Sequence, residues 1–191
     1  TETFVTLYKQ GLIYRGKRLV TWDPVLQPAV ADLEVENQEK DGSLWHIAYP
    51  LTSGEGNLVV ATTRPETIMG DTAMCINPKD VKNHWLKGHK VIVPLVGRVV
   101  PVIEDRYVDI EFGTGCLKVT PAHDVNDYAL GKTHNLDTID IFNPDGTLSE
   151  AAGLYVGKDR MEVRKLIAVD LAAAGLMDHV EDYENKVGYS E

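Results

Sequence analysis

Cysteine is scarce in this sequence: Cys75 and Cys116 are the two it holds. Both sit in apolar, strand-like stretches, and no basic-then-apolar leader opens the chain, so we expect reduced, buried thiols and no disulfide framework. No uninterrupted apolar run approaches the ~20 residues that a membrane helix needs, so no membrane partner is expected. Positive charge is also short, with 19 Lys and Arg against 29 Asp and Glu and a formal net charge of −10. A chain so balanced does not hold nucleic acid by bulk electrostatics, because phosphate binding draws on clustered Lys and Arg; only a local basic patch would do so. Internal repeats and low-complexity tracts are missing as well. What remains is an ordinary globular composition, 43% hydrophobic and 25% charged over 191 residues, enough for one sizeable core or one domain with an appendage. The chain starts at Thr1 and stops after Gly188-Tyr-Ser-Glu191, and we expect a piece of a larger protein.

Long helices are few. Thr3 to Gly11 has helical apolar spacing through Phe4, Leu7 and Tyr8, with Gly11 as a stop. Lys17 to Trp22 reads as a strand broken by Asp23-Pro24 and Pro28, and Asp32 to Glu36 as another. Asp41-Gly42 is a turn signal before a strand from Leu44 to Leu51. Residues 1–40 lack core-forming clusters and read as a connector, with 41–191 the main domain and an exit linker from about 183. Strand signals then crowd together at Leu58–Thr63, Ala73–Ile76, Lys90–Val96, Arg98–Ile103 and Cys116–Thr120. Many short strands without alternating long helices predict a mainly β, α+β fold with peripheral helices, a compact barrel and not a doubly wound sheet. Helices are expected briefly after Thr63, over Asp124–His134, and over Asp159–Ala174, where Val163, Leu166, Ile167, Leu171 and Ala174 share a face ahead of Gly175.

Two polar clusters stand out. From Gly113 to Tyr128 a glycine turn leads into a short strand, a Pro-Ala break, and a helix opening on two carboxylates. Lys118 and Thr120 share one strand face, and Asp124 and Asp127, three apart, share one side of a first helical turn. A purely structural reading is open: Asp124 as N-cap, Asp127 favoured by the helix dipole, and Lys118 facing solvent. The second cluster, Thr62-Thr63-Arg64-Pro65-Glu66-Thr67, closes a hydrophobic strand. Thr63 and Glu66 fit a capping box, while the same junction presents three hydroxyls, a guanidinium and free backbone N–H groups to an anion or ester oxygen. A metal reading of His123, Asp124, Asp127 and His134 finds no HxxxH or CxxC spacing behind it.

Taken together, Ala61 through Thr67, Gly70-Asp-Thr-Ala73, Gly113-Thr-Gly115 and Lys118 through Tyr128 resemble the inserted editing domain of the valyl-tRNA synthetase family, within the class I synthetases. Leu12 through Pro24 and Asp32 through Glu36 look like that family's lead-in segment, and Gly131 through Leu136 also fits, although Thr133 stands where a basic residue is expected. The resemblance runs over nearly the whole chain. Leucyl relatives would carry aspartate in place of Glu66 and a different segment around Lys118. Isoleucyl relatives would show a Thr-Thr-Pro-Trp-Thr motif and a histidine and glycine near Asp124. The Trp22-Asp23-Pro24 turn lacks the cysteine pair that supports zinc in some relatives, so no metal is expected. Neither a His-Ile-Gly-His-like nor a Lys-Met-Ser-Lys-Ser-like signature of aminoacylation is present.

The resemblance implies a compact β-barrel editing domain of the valyl, isoleucyl and leucyl type that hydrolyses threonine mischarged on the tRNA for valine. In the implied roles, Asp127 holds the α-ammonium and Asp124 supports that pocket and helps read the threonine hydroxyl. Lys118 and Thr67 line the ester and amino acid pocket, and Thr62, Thr63 and Thr120 contact or orient substrate or water. Arg64 and Phe112 hold the terminal nucleotide, Phe112 by stacking. His123 lies beside the substrate, either as a general base or as a structural hydrogen-bonder. No Ser-His or Cys-His nucleophile is evident, which favours attack by a positioned water. ATP and Mg would belong only to the aminoacylation domain of the parent enzyme, and editing itself would need no cofactor. Implied partners are the tRNA for valine and the rest of the synthetase chain, in a cytoplasmic monomer. A catalytically idle, tRNA-positioning insertion is the main alternative, and a metal-dependent hydrolase the other.

Overall fold

The computed structural model describes residues 1–16 and 18–190, and for Ser190 the backbone alone. Lys17, where the first expected strand begins, and Glu191 lie outside the described residues. Helix α1 (Glu2–Lys9) leads into a small hairpin of β1 (Thr21–Trp22) and β2 (Ala29–Val30). Asp23 turns it, accepting from the Val25 and Leu26 N–H groups at 2.8 and 3.2 Å, and Trp22 Nε1 donates to the Pro144 carbonyl at 2.7 Å. The strand expected over Asp32–Glu36 forms only at its end. Asp32–Glu34 is a 3₁₀ turn, closed by Glu34 accepting from the Ala31 N–H.

The turn expected at Asp41-Gly42 is absent. Those two residues sit inside β3 (Val35–Pro50), which runs 16 residues without interruption and across the 40/41 position. Asp41 and Gly42 pair in register with Glu184 and Tyr183 of β9 (Met177–Ser190), the strand that closes the chain. The local turn preference of Asp-Gly loses to a ladder supplied by a partner some 140 residues away in sequence, which no local window contains. After β3 come β4 (Asn57–Thr62), β5 (Ala73–Ile76), β6 (Lys90–Ile92), β7 (Val99–Glu104) and β8 (Cys116–Val119), close to the expected strands. The expected strand from Lys90 ends early because Val93–Arg98 forms a turn, with Leu95 and Gly97 at φ of 62° and 76°.

These strands form mainly β structure in three sheets and no closed barrel among the described residues. The first is the β1–β2 hairpin; the others have orders β4-β3-β9, all antiparallel, and β6-β7-β5-β8. In the last, β5 pairs parallel with β7 and antiparallel with β8. The two larger sheets meet at a single antiparallel bridge, Leu51 to Val91, and again where Thr114 Oγ1 donates to the Val59 carbonyl at 2.6 Å. Between them lies the main core, including Ile47, Tyr49, Val60, Ile68, Met74, Val91 and Leu148. Cys75 and Cys116 are free and buried, and burial pushes their thiols up to about 12 and about 11.

Two helices complete the frame. Helix α2 (Val125–Thr133) sets Leu130 against Ala73, Cys75, Val108 and Val119 in a second, smaller cluster. Helix α3 (Arg160–Ala173) starts at Asp159, which accepts from the Met161 and Glu162 N–H groups, and seals the main core with Val163, Ile167 and Leu171. Leu166 is half-buried and Ala174 exposed, so the buried stripe is narrower than its spacing suggests. Arg164 of α3 grips the buried Glu66 carboxylate bidentately, Nε to Oε2 at 2.9 Å and Nη2 to Oε1 at 2.7 Å.

Removing Arg164 leaves the buried Glu66 carboxylate only the longer, 3.5 Å contact with Arg64, whereas removing a cap frees only exposed N–H groups. Arg164→Ala is therefore expected to lower unfolding stability by ~3 kcal/mol, and Asp159→Ala by ~1 kcal/mol. Urea unfolding of both variants checks the order; equal losses would contradict it.

Candidate active site

Strand β8 is aimed by the turn that precedes it. Gly115 has φ of +74°, and a Cβ there would stand 2.9 Å from Asp80 Oδ2, so the position admits glycine alone without rearrangement. The strand then alternates, placing Lys118 and Thr120 on one face as expected. Lys118 is not solvent-facing, however: it is 8% exposed. Its ammonium donates to Thr120 Oγ1 at 2.6 Å, Thr67 Oγ1 at 2.8 Å and Asp71 Oδ1 at 3.2 Å. A lysine has three donors, so all three are spent inside the protein.

Asp71 is the organising partner, and its sequence signal goes no further than its place in the Gly70-Asp71-Thr72-Ala73 stretch. It is fully buried and also accepts from Thr120 Oγ1 at 2.6 Å and Tyr49 Oη at 2.7 Å. Burial pushes the Asp71 carboxyl upward, opposed by the Lys118 charge and by the Thr120 and Tyr49 hydroxyls, and burial raises the Tyr49 phenol as well. Thr67 Oγ1 donates to the Arg64 carbonyl at 2.9 Å. Each threonine hydroxyl has thus used its proton and one lone pair, and each keeps one lone pair for a further donor.

Helix α2 supplies the carboxylates. Asp124 is its N-cap, accepting from the Asn126 and Asp127 N–H groups at 2.8 and 3.1 Å. Asp127 is buried, and its Oδ2 accepts from the Thr120 N–H at 2.8 Å. Among the described residues no donor reaches its Oδ1. Burial pushes the Asp127 carboxyl up to about 6, with the nearby Asp124 and Asp71 carboxyls adding to the rise and the Lys118 charge and Thr120 N–H opposing it.

The capping box expected from Thr63 and Glu66 does not form, because Arg164 holds the Glu66 carboxylate from α3. Thr62 instead accepts from the Arg64 N–H at 3.1 Å, which bends the chain out of β4. Arg64 is half-exposed; its Nη1 donates to the His123 carbonyl at 2.7 Å and its Nε lies 3.5 Å from Glu66 Oε1. His123 Nε2 accepts from the Ile141 N–H at 3.1 Å, and burial with the Arg64 and Lys118 charges lowers its imidazole to about 3. That lone pair ties the ring to the segment at Ile141. His134, of the conceived metal set, pairs with Asp105 at 2.8 Å, so the four residues do not converge.

The ten expected site residues, namely Thr62, Thr63, Arg64, Thr67, Phe112, Lys118, Thr120, His123, Asp124 and Asp127, line one cavity of about 250 Å³. It opens in the seam between β4 and β8, where the two larger sheets do not pair. Strand β9 contributes Tyr183 and Asn185 to its wall, and β3 contributes Leu44. None of these three carried a sequence signal, because the β3–β9 pairing was itself invisible. Phe112 is half-exposed and meets Tyr183 edge-on, ring centroids 6.1 Å apart. The cavity is below the ~300–1,000 Å³ usual for drug-sized ligands, so it suits a group no larger than an amino acid, with anything bulkier left on the aromatic and Arg64 rim.

The chain matches the family model of tRNA synthetases class I (I, L, M and V) over residues 1–181. It is similar to the valine–tRNA ligase of Parabacteroides distasonis, 67% identical over 190 residues that take in 100% of this chain and 22% of that protein. The valine–tRNA ligase of Synechocystis is 52% identical over 188 residues, 98% of this chain and 21% of that protein. The chain thus spans about a fifth of the length of the curated relatives it matches. Among solved structures, a LeuRS–tRNA–LeuAMS ternary complex of Agrobacterium radiobacter K84 shares the fold, with TM-score 0.59, 17% identity, and coverage of 99% of this chain and 32% of that one.

The Asp127 carboxyl titrates near 6 in the folded chain and near 3.8 without its surroundings. Between those values the native state binds more protons than the unfolded state, so this group's contribution to stability falls as pH rises through that window. Asp127→Asn keeps an acceptor for the Thr120 N–H but cannot ionise. Its stability relative to the parent is expected to rise by ~2 kcal/mol from pH 4 to pH 7 in urea unfolding. A pH-independent difference would show that the carboxyl is not held up.

Proposed function

The chain belongs to the class I tRNA synthetases of the isoleucyl, leucyl, methionyl and valyl group, and from that membership and the chemistry of its cavity we propose that it hydrolyses threonine mischarged on the tRNA for valine. Valine and threonine are near-isosteres, and a hydrophobic pocket rejects the added hydroxyl only by about a hundredfold, a general limit for which valyl enzymes are themselves the known example. A second site must therefore recognise the hydroxyl positively.

The observation that carries this reading is the set of acceptors that the buried Lys118 network leaves at the cavity wall. Thr67 and Thr120 have given their protons away, to the Arg64 carbonyl and to Asp71. Each can accept from a hydroxyl, an ammonium or a water, but none can donate. Asp127 Oδ1 offers a charge-assisted hydrogen bond to the α-ammonium of an aminoacyl ester. A threonine side chain brings an O–H donor to this wall; valine brings a methyl and leaves an acceptor desolvated and unpaired, at ~1–3 kcal/mol. That difference spares the correct product.

Lys118 in this arrangement fixes the two hydroxyls and does not itself reach the ester. The terminal adenosine would lie outside the cavity, against Phe112, Tyr183 and the Arg64 guanidinium. A water held by the remaining lone pairs would attack the ester carbonyl, with the vicinal hydroxyl of the adenosine assisting the leaving oxygen. Because the ester is already activated, orientation supplies much of the rate. The reaction uses no cofactor of its own, and it serves protein synthesis in the cytoplasm as one part of a longer synthetase chain. That longer chain supplies most of the tRNA contact, since this segment carries a net charge of −10.

Deacylation assays on threonyl- and valyl-tRNA for valine test this. The chain is expected to hydrolyse the threonyl ester and spare the valyl ester, and Asp127→Ala to slow the first by ~10–100-fold through loss of a charged hydrogen bond. No hydrolysis of threonyl-tRNA by the parent above the spontaneous rate would sink the hydrolytic reading and leave a tRNA-positioning role, and equal rates for parent and Asp127→Ala would take Asp127 out of the mechanism. Arg64→Ala should raise KM with little change in kcat. The tRNA affinity should also fall with added salt less steeply for this chain than for a full-length synthetase, because fewer phosphate contacts release fewer counterions.

A further inference from the structure

The β3–β9 ladder carries a second polar cluster that the proposed hydrolysis leaves unused. His46 and His179 are directly opposed across it, and the next pair is Ile47 with Met177, so Asp178 is the extra residue of a bulge. Opposed residues of an antiparallel pair share a face, and Glu181, two residues beyond His179, shares it too. The imidazole rings stack 3.8 Å apart with 17° between their planes. His46 Nε2 stands 3.0 Å from Glu181 Oε1, and His179 Nδ1 stands 2.7 Å from Asp178 Oδ2. One ligand atom from each of His46, His179 and Glu181 lies within 4.8 Å of the other two; no other three His, Cys, Asp or Glu side chains do so among the described residues.

We propose that His46, His179 and Glu181 form a binding site for a divalent cation of the zinc class. Two imidazole nitrogens and a carboxylate oxygen suit zinc, which accepts both at ~2.0–2.2 Å and fills a fourth position with water. Calcium and magnesium prefer shells of oxygen alone, so the donor set disfavours them. Asp178 supplies the outer support such ligands use: by accepting the His179 Nδ1–H it sets the tautomer that leaves the Nε2 lone pair for the metal. Without metal, His46 Nε2–H donates to Glu181; on binding, the ring takes its other tautomer and the cation bridges the two groups. His46 is buried and fixed, while His179 and Glu181 are about half-exposed and swing in by rotamer change.

The position gives the cation a mechanical consequence. The cluster stands where the ribbon of β3 and β9 leaves the core, on the same face as Leu44, Tyr183 and Asn185 of the cavity wall. A bound cation clamps the two strands together beside that wall. The site is independent of the hydrolytic chemistry and is read without any activity assay.

Calorimetric titration of zinc chloride into the 191-residue chain is the test, with thermal unfolding alongside. One equivalent should bind and raise Tm. Asp178→Asn should weaken binding by ~10–100-fold, and Glu181→Gln and His179→Ala by at least as much. Magnesium chloride should give no saturable heat. Circular dichroism of the metal-free variants should match the parent, because His179 and Glu181 are exposed. Absence of binding with zinc in large excess overturns the proposal, as does one-equivalent binding that His179→Ala leaves intact.

Discussion

An ammonium buried beside a carboxylate is the constraint from which the rest of this cavity follows. Lys118 is 8% exposed, so little of its charge reaches water, and it satisfies its three donors internally on Thr67, Thr120 and Asp71. Losing Asp71 would strand that charge, a penalty of several kcal/mol. A hydrophobic pair of the same volume would be no less stable, since desolvation offsets much of what a buried ion pair gains. What the ionic arrangement does is fix the Thr67 and Thr120 hydroxyls, both at the cavity wall. The geometry of the acceptor wall is therefore a consequence of charge satisfaction.

The frame leaves a gap for that wall. The two larger sheets join at the Leu51–Val91 bridge and again through Thr114 to Val59, but β4 and β8 do not pair along their length. A closed barrel would have filled this seam with ladder hydrogen bonds. The open seam admits side chains from β3, β4, β8, the start of α2 and the far strand β9, and these converge on one small volume. Burial there has an electrostatic price, visible in the Asp127 carboxyl held near 6 and in the neutral His123.

Much of the local structure was legible from spacing and punctuation. Asp124 and Asp159 each precede a helix and each caps it. The strands at Ala73–Ile76 and Cys116–Val119 follow their β-formers, and Lys118 and Thr120 share a face because period two dictates it. What spacing could not supply was partnership. Asp41-Gly42 has the composition of a turn and lies in a strand because Glu184 and Tyr183 come alongside. Glu66 has the place of a capping residue and is held instead by Arg164, nearly a hundred positions on.

The chain's own residues, in order, determined the element types, the caps, the burial of the two cysteines and the two polar clusters that meet at one cavity. These depend on dihedral preference and periodicity, which act over a few residues. Tertiary structure alone decided that Asp71 anchors Lys118, that Tyr183 and Asn185 form the far wall, and that His46 faces His179. Those are contacts between segments distant in sequence, set by sheet register and by where a buried charge finds its partner. No local pattern encodes either.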